Sequence, residues 1–143
     1  GEVTAVRAAF LEHFAARGIV PIISPISLGE DGQTYNVNAD EAAGAIAAAL
    51  GAGQLDFVSN VPGVLAEGQR LARLTPEAAE ALISDGIVRD GMIPKVREAL
   101  DALDRGVAQV RIVDLAGLAT GGGTVFSVAE QMEYSVGQFS VGQ

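Results

Sequence analysis

The sequence predicts an α/β protein with a largely parallel sheet. Short apolar runs alternate with longer stretches of helical periodicity, in the order strand, helix, strand, helix, helix, strand, which is typical of parallel sheets with helical crossovers. The 143 residues suffice for one domain with its own core. Hydrophobic residues make up 49% of the chain, so disorder is not expected, and the abundance of alanine among them favours helices.

The first third of the chain predicts a helix, a strand, a turn and a returning strand. Apolar residues recur at three- and four-residue spacing over residues 3–16, which indicates an amphipathic helix. The apolar run at residues 19–23 predicts a short buried strand, and Pro21 marks its start or an unpaired position. A Gly-Glu-Asp-Gly turn signal within residues 28–33 then precedes a returning strand at residues 34–35.

The rest of the chain predicts three helices and two strands. Residues 40–50 are alanine-rich and helical, and they precede an apolar strand at residues 55–59. Thr75 is a helix cap that is followed by proline at the first helical position and an acid in the first turn. We therefore expect a helix from there to about residue 84. A further helix is expected at residues 91–105, and a strand at residues 107–113.

Composition excludes several classes of function. The formal net charge is −9, so a nucleic-acid backbone would repel the chain and we expect no nucleic-acid partner. The absence of cysteine excludes disulfides, zinc–thiolate sites and cysteine nucleophiles. His13 is the only histidine, and we expect it at an ordinary surface or boundary position. No run of about 18 apolar residues occurs, so we expect no membrane span and a cytoplasmic protein.

Two polar runs at expected helix starts carry the strongest functional signal. The first is Asn36-Val37-Asn38-Ala39-Asp40, and the second is Asp90-Gly91-Met92-Ile93-Pro94-Lys95. Helix N-termini attract anions, and a lysine in the first turn opposes the helix dipole unless an anion lies beside it. Phosphoryl transfer mainly requires positive charge where charge develops, and lysine serves as a point charge for phosphate. The two runs together therefore point to phosphoryl transfer.

A simpler interpretation of both runs remains open. Asn and Asp are preferred helix caps, so the first run could merely cap its helix, and Asp90 could cap the second. Lys95 would then be a solvated surface charge. The two interpretations are compatible in the first run, since one residue can cap the helix while Asn36 presents its amide to a small ligand and Asp40 orients a lysine.

The loop after the strand at residues 55–59 is a further candidate. Its sequence is Ser59-Asn60-Val61-Pro62-Gly63-Val64-Leu65, and open α/β sheets bind ligands at the carboxyl ends of their strands. A plain strand-to-loop turn is the alternative. Neither a Walker sequence nor a Gly-x-Gly-x-x-Gly run after a strand occurs. The glycine-rich residues 121–124 have no lysine and no following helix, so we interpret them as a tight, mobile turn.

With these runs in this order, the chain resembles the amino-acid kinase family, and within it the acetylglutamate kinases of arginine biosynthesis. The likeness extends from residue 1 to about residue 126. It is carried by Ile-Val-Pro-Ile-Ile-Ser-Pro-Ile at residues 19–26, Tyr-Asn-Val-Asn-Ala-Asp at 35–40, Ser-Asn-Val-Pro-Gly-Val-Leu at 59–65 and Asp-Gly-Ile-Val-Arg-Asp-Gly-Met-Ile-Pro-Lys at 85–95. The Asn-Val-Asn-Ala-Asp and Gly-Met-Ile-x-Lys runs are specific in combination and order.

The resemblance implies a three-layer αβα fold with a mainly parallel central sheet, and an ATP-dependent transferase. It implies phosphorylation of the side-chain carboxylate of N-acetyl-L-glutamate to an acyl phosphate, with Mg²⁺ carried by the nucleotide. It assigns Asn36 to binding the acetylglutamate, Asp40 to holding the catalytic lysines and Lys95 to stabilising the transferring phosphoryl group. The residues it places around the nucleotide are Asn60, Val61, Pro62, Gly63, Val64, Leu65, Ile87, Val88, Arg89, Asp90, Gly91, Met92, Ile93, Pro94 and Lys95.

The resemblance also implies that part of the family's machinery lies outside these residues. An N-terminal half of the family supplies a first lysine in a Lys-x-Gly-Gly loop and an arginine for the substrate, whereas Lys95 is the only lysine here. We therefore expect an ATP-binding domain at residues 1–126, a tail at residues 127–143, and either self-association or pairing with that half through an exposed sheet edge and apolar face. Two other functions remain open. One is another kinase of the family, acting on a different carboxylate or a nucleotide monophosphate, and the other is a non-catalytic nucleotide-binding or interaction module.

Overall fold

A computed structural model describes residues 1–128, so all but the first two residues of the expected tail lie outside the described part. The helices of the described part are α1 (Ala8–Ala15), α2 (Ala39–Ala49), α3 (Pro76–Ser84), α4 (Met92–Asp104) and α5 (Leu115–Thr120). Its strands are β1 (Ile26–Leu28), β2 (Thr34–Asn36), β3 (Gln54–Ser59), β4 (Leu65–Ala66), β5 (Gln69–Arg70), β6 (Arg73–Leu74), β7 (Gln109–Asp114) and β8 (Thr124–Phe126).

The central sheet has four strands in the order β3-β7-β8-β6. Strand β3 runs parallel to β7, with register from Gln54 opposite Gln109 to Ser59 opposite Asp114. Strand β6 is parallel to β8, whereas β8 is antiparallel to β7. Two of the three pairings are thus parallel, which agrees with the predicted sheet. Two separate antiparallel hairpins, β1–β2 and β4–β5, complete the strands of the described part.

Helices α2 and α4 carry residues of the candidate site and pack on the central sheet. They pack against each other, α2 against β3 and α4 against β7, while α3 packs on α4 and α5 contacts β3 and β7. The predicted α/β class is therefore confirmed, and helices packed on a mixed sheet agree with the predicted three-layer fold. The main core consists of buried small and branched residues and two phenylalanines: Ala47, Phe57, Val64, Leu74, Ala79, Val88, Val96, Ala99, Ala102, Val107, Val110, Ile112 and Phe126.

Local sequence signals explain where the main elements begin. The Asn38 side chain caps α2, and the Thr75 hydroxyl caps α3 by accepting from the amide of Ala78 at 3.2 Å, with Pro76 at the first helical position. The predictions for α2, β3, α3, α4 and β7 are confirmed to within about two residues, the usual uncertainty of element ends. The predicted returning strand at residues 34–35 lies within β2, which pairs across the predicted turn with β1, a strand that the sequence did not predict. None of the helices described has both the length and the apolar character needed to cross a bilayer.

Two predictions near the start of the chain are wrong. The first helix begins at Ala8 rather than at residue 3. Residues 19–23 form no strand, and Val20 and Ile22 are 83% and 98% exposed. A buried strand needs neighbours on both sides, and none of the strands within residues 1–128 pairs with this segment. Pro21 removes one donor from it as well.

Candidate functional site

At the start of α2, one residue caps the helix and a different residue has the candidate functional role. The Oδ1 atom of Asn38 accepts hydrogen bonds from the amides of Asp40 at 2.8 Å and Glu41 at 3.1 Å. Because Asn38 satisfies these amides, the Asp40 carboxylate is left for another partner. Asn36, the predicted ligand of the acetylglutamate, ends β2 and is exposed. Its backbone oxygen accepts from the amino group of Gly1 at 3.4 Å.

Lys95 and Asp40 form an ion pair between α4 and α2. The Nζ atom of Lys95 lies 3.3 Å from Oδ2 of Asp40, although the residues are 55 positions apart in the sequence. Their side chains are 30% and 33% exposed. Lys95 is therefore not the freely solvated surface charge of the simpler interpretation, and 30% of its side chain remains exposed.

The N-terminus of α4 differs from the predicted capping. Asp90 adopts a positive φ of 48° and is not the cap; Gly91 is the cap residue, and no side chain caps the helix. The amides of Met92 and Ile93 donate back to the preceding turn at 3.1 Å, and Pro94 has no N–H. The first-turn amides of this helix are thus already satisfied or absent. Positive charge for an anion must therefore come mainly from side chains, of which Lys95 lies on this helix and Arg89 just before it.

The two predicted nucleotide segments meet at a cavity of about 240 Å³. Both segments supply its walls, which are mostly apolar and include one cation: Val61, Gly63, Leu65, Ile87, Val88, Arg89 and Met92. Val64 is fully buried behind this wall. The remaining residues predicted for the nucleotide do not line the cavity: Asn60, Pro62, Asp90, Gly91, Ile93, Pro94 and Lys95.

Helix α4 connects the cavity with the ion pair. Met92 lines the cavity, and Lys95 follows three residues later, which corresponds to a rise of about 4.5 Å along a helix. The cavity wall at Met92 and the ion-paired Lys95 therefore lie less than one helical turn apart on α4. A larger cavity of about 520 Å³ lies elsewhere, between α1, α2 and residues 23–27, and it does not include Asp40 or Lys95.

Carboxylates surround the ion pair. Burial raises the pKa of Glu98, which lies on α4, and the negative charges of Asp101, Glu41 and Asp40 add to this effect in that order. The positive charge of Lys95 therefore offsets only part of the negative charge around it. Among residues 1–128, no three histidine, aspartate or glutamate side chains converge as a metal-ligand set.

Sequence analysis missed the residues that fix the glycine-rich turn beside the site. The turn is tight as predicted, with Gly121 at φ 75°. Arg111 binds both oxygens of Asp56, at 2.8 and 2.7 Å, and donates to the carbonyl of Gly122 at 3.3 Å. A second arginine, Arg70, donates to the next carbonyl. The signal available in the sequence was an acid and an arginine on two of the predicted strands.

The Arg111–Asp56 pair is a structural ion pair. The hydrogen bond from the guanidinium holds the pKa of Asp56 below its usual value, and the same bond raises the pKa of Arg111. The two residues lie directly opposite each other on β3 and β7. His13, as expected, is exposed on α1, where its ring contacts Phe14.

Comparisons with known proteins identify one family. A sequence model of the Amino acid kinase family matches residues 1–114, a range that ends with the last residue of β7. The acetylglutamate kinase of Chloroflexus aurantiacus is 56% identical over 134 residues, which cover 93% of this chain and 52% of that protein. The acetylglutamate kinase of Geobacillus thermodenitrificans is 53% identical over 113 residues, which cover 79% of this chain and 44% of that protein.

A solved structure shows the same fold. The protein smu.665 of Streptococcus mutans UA159 superposes with a TM-score of 0.77 at 33% sequence identity. The match covers 89% of this chain and 50% of that one. This chain thus spans about half the length of the curated relatives it matches.

Proposed function

Because the chain belongs to the amino acid kinase family, we propose that it is the ATP-binding part of an enzyme that phosphorylates N-acetyl-L-glutamate in arginine biosynthesis. The observation that carries the proposal is the Asp40–Lys95 ion pair beside the cavity. These are the two positions at which the family resemblance expects an organising acid and a phosphoryl-stabilising lysine. The high identity to two acetylglutamate kinases supports the choice of acceptor.

The proposed reaction is an in-line phosphoryl transfer. A side-chain carboxylate oxygen of N-acetyl-L-glutamate attacks the γ-phosphorus of ATP, the bond to the β–γ bridging oxygen breaks, and ADP leaves an acyl phosphate behind. Lys95 stabilises the negative charge on the transferring oxygens. Asp40 keeps the ammonium group of Lys95 in place, and Asn36 donates its side-chain amide to the acetylglutamate. In this proposal the nucleotide would carry Mg²⁺, whose charge would offset part of that on the phosphates.

The nucleotide would lie along the N-terminal half of α4. The cavity of about 240 Å³ is smaller than the roughly 300–1,000 Å³ of typical small-molecule sites, so we assign it to the base end of ATP alone. Its apolar walls suit a flat ring. The phosphates would then follow α4 from Met92 toward Lys95, and the proposed site lies in the cytoplasm, as the sequence led us to expect.

We further propose that a second polypeptide covers the apolar face next to β3. Strand β3 is at the edge of the sheet, and residues 19–28 expose several large apolar side chains. Pro21 and Ile23 of this segment line a cavity together with Leu55 of β3. The cavity of about 520 Å³ is lined largely by apolar residues of α1, α2 and this segment. Exposed apolar surface of this kind favours association. The partner in this proposal is the half of the relatives that this chain does not match, with a second copy of the chain as the alternative.

The test of the main proposal is a phosphoryl-transfer assay. The chain is incubated with ATP, Mg²⁺ and N-acetyl-L-glutamate, alone and together with the unmatched half of the Chloroflexus aurantiacus relative. ADP formation and trapping of the acyl phosphate with hydroxylamine are measured in parallel. We expect turnover when both parts are present, and no turnover in either mixture would refute the proposed reaction. A panel of other carboxylates and nucleotide monophosphates tests for another kinase of the family.

A nucleotide-binding module without catalysis is the second candidate, because the chain covers about half of its relatives. Calorimetric titration with Mg·ATP distinguishes the two. Binding of ATP without turnover in any mixture would favour the module, whereas turnover in the combined mixture would exclude it.

A further inference from the structure

Thr124 connects the glycine-rich turn to the proposed nucleotide loop through a single hydroxyl group. It is the first residue of β8 and is fully buried. Its Oγ1 atom accepts a hydrogen bond from the amide of Val64 at 2.9 Å and donates one to the carbonyl of Leu71 at 2.6 Å. One side chain thus satisfies two buried backbone groups that are seven residues apart.

The hydroxyl takes the place of a missing ladder bond. In the β4–β5 hairpin, Leu65 lies opposite Arg70, so Val64 and Leu71 form the next pair. The amide of Leu71 donates to the carbonyl of Val64 at 2.9 Å, as an antiparallel ladder requires. The reciprocal bond is replaced by the chain Val64 N–H to Thr124 Oγ1 to Leu71 C=O. Thr124 therefore sets the separation of the two strands at the base of the hairpin.

The loop before the hairpin lies directly against Thr124. Gly63 has a φ of 141°, and a Cβ atom at this position would lie 2.5 Å from Oγ1 and 3.0 Å from the amide nitrogen of Thr124. A side chain at residue 63 would therefore displace the loop from this support. Gly63 and Leu65, on either side of Val64, line the cavity assigned to the base end of ATP, and Thr124 itself does not.

We propose that Thr124 is a positioning residue for the nucleotide. It acts through the Val64 amide, which holds residues 61–65 at the depth that forms the cavity wall. Arg70 and Arg111 support it from behind by binding the carbonyls of Gly123 and Gly122. This inference rests on the proposed nucleotide site and adds a residue that lies outside both predicted nucleotide segments.

The test compares two substitutions at one position. Thr124→Val keeps the shape and removes the hydroxyl, whereas Thr124→Ser keeps the hydroxyl. The affinity for Mg·ATP is measured by calorimetry, alone and with the complementary half of the enzyme. We expect Thr124→Val to weaken binding at least tenfold and Thr124→Ser to stay within threefold of the parent chain. Val107→Ala serves as a control, because Val107 is a buried core residue just before the start of β7. This substitution should lower the stability of the chain and leave its affinity for Mg·ATP unchanged.

The outcomes separate this inference from the proposed function. Absence of Mg·ATP binding by the parent chain in both settings would overturn the proposed function and this inference with it. Binding by the parent that Thr124→Val does not weaken would overturn only the role of Thr124, and so would equal losses in Thr124→Val and Thr124→Ser. If Thr124→Val does not fold, Thr124→Cys replaces it, because a thiol is only a weak donor and acceptor, and the same two comparisons apply.

Discussion

Replacement of Lys95 by alanine should change ligand binding much more than folding. An ion pair with both partners partly exposed contributes about 0–1 kcal/mol to stability. A lysine in the first turn of a helix costs about 0.3–1 kcal/mol, and Lys95→Ala removes this cost. Asp40, left without its partner, still lies in the first turn of α2, where an acid is favourable. The net change in the free energy of unfolding should therefore stay within about 1 kcal/mol.

The expected effect on phosphate binding is larger. A hydrogen bond to a charged group contributes about 1.5–3 kcal/mol, which corresponds to a loss of roughly 10-fold to 150-fold in affinity. The first-turn amides of both helices cannot substitute for the ammonium group. Those of α2 bind the Asn38 side chain, and those of α4 bind the preceding turn. Because Lys95 is assigned to the transferring phosphoryl group, the loss should be greater for Mg·ATP than for Mg·ADP.

The assay is calorimetric titration with both nucleotides, together with thermal unfolding followed by circular dichroism. Arg97→Ala is the matched control, because Arg97 is a cation on the same helix that pairs with Glu80 instead. Lys95 is the only lysine, so reductive ¹³C-methylation gives it one side-chain signal that can be followed during the titration. Equal affinity in Lys95→Ala and the parent chain would refute the argument and leave Lys95 as a structural ion pair.

Three further predictions follow from the charged residues. Asp40→Asn should lower the melting temperature more than Lys95→Ala, since it leaves Lys95 unpaired against the helix dipole, and it should also weaken Mg·ATP binding; an unchanged affinity would contradict the organising role. Glu98→Gln should raise the melting temperature at pH 7, because the raised pKa of Glu98 means that folding disfavours its charged form. The gain in melting temperature should vanish below the ordinary pKa of 4.5. A gain that persists at pH 3.5 would contradict this cause. Asp56→Asn should cost about 1.5–3 kcal/mol at neutral pH by removing the charged partner of Arg111. Because the folded pKa of Asp56 is lowered, its contribution is present above 3.8 and lost as the pH falls through the folded value, so a cost that is constant down to pH 2 in urea titrations would refute the mechanism.

The elements that the sequence predicted well are those with local causes. Helix α3 has its cap and its proline within two residues, and α2 has an asparagine cap before an alanine-rich run. Strands β3 and β7 are apolar runs, and each is buried by helices that are close in the sequence. Composition and spacing therefore suffice to identify such elements, although the pairing of β3 with β7 is itself long-range.

The elements that the sequence predicted poorly depend on partners that local patterns do not identify. The apolar run at residues 19–23 looks like a buried strand, but no strand within residues 1–128 pairs with it. The two-residue strands of the β4–β5 hairpin are too short for a periodic signal. Strand β8 follows three glycines, and its role as a central strand becomes clear only from its pairing with both β7 and β6.

The residues of the candidate site also divide into those with a local sequence signal and those without one. The Asn-Val-Asn-Ala-Asp run suggested both a cap and an acid that orients a lysine, and in the structure Asn38 is the cap and Asp40 pairs with Lys95. The same reasoning misplaced the cap of α4 at Asp90, because the chain there turns with a positive φ and Gly91 takes the cap position. Thr124 escaped attention, since a threonine after three glycines has no local signal for a contact 60 residues away.

Phosphate is attracted to helix N-termini, which is why the sequence suggested phosphoryl transfer. In the structure the attraction for phosphate has a different physical basis. Side-chain or turn acceptors already occupy the first-turn amides of α2 and α4, so neither helix offers a set of free N–H groups. The positive charge lies on side chains: the ammonium group of Lys95, which is 3.3 Å from Asp40, and the guanidinium of Arg89 in the wall of the cavity. A site built this way depends on side-chain cations rather than on a cradle of amides. Loss of the Lys95 charge therefore has no backbone compensation from α2 or α4, which is why Lys95→Ala is expected to weaken phosphate binding.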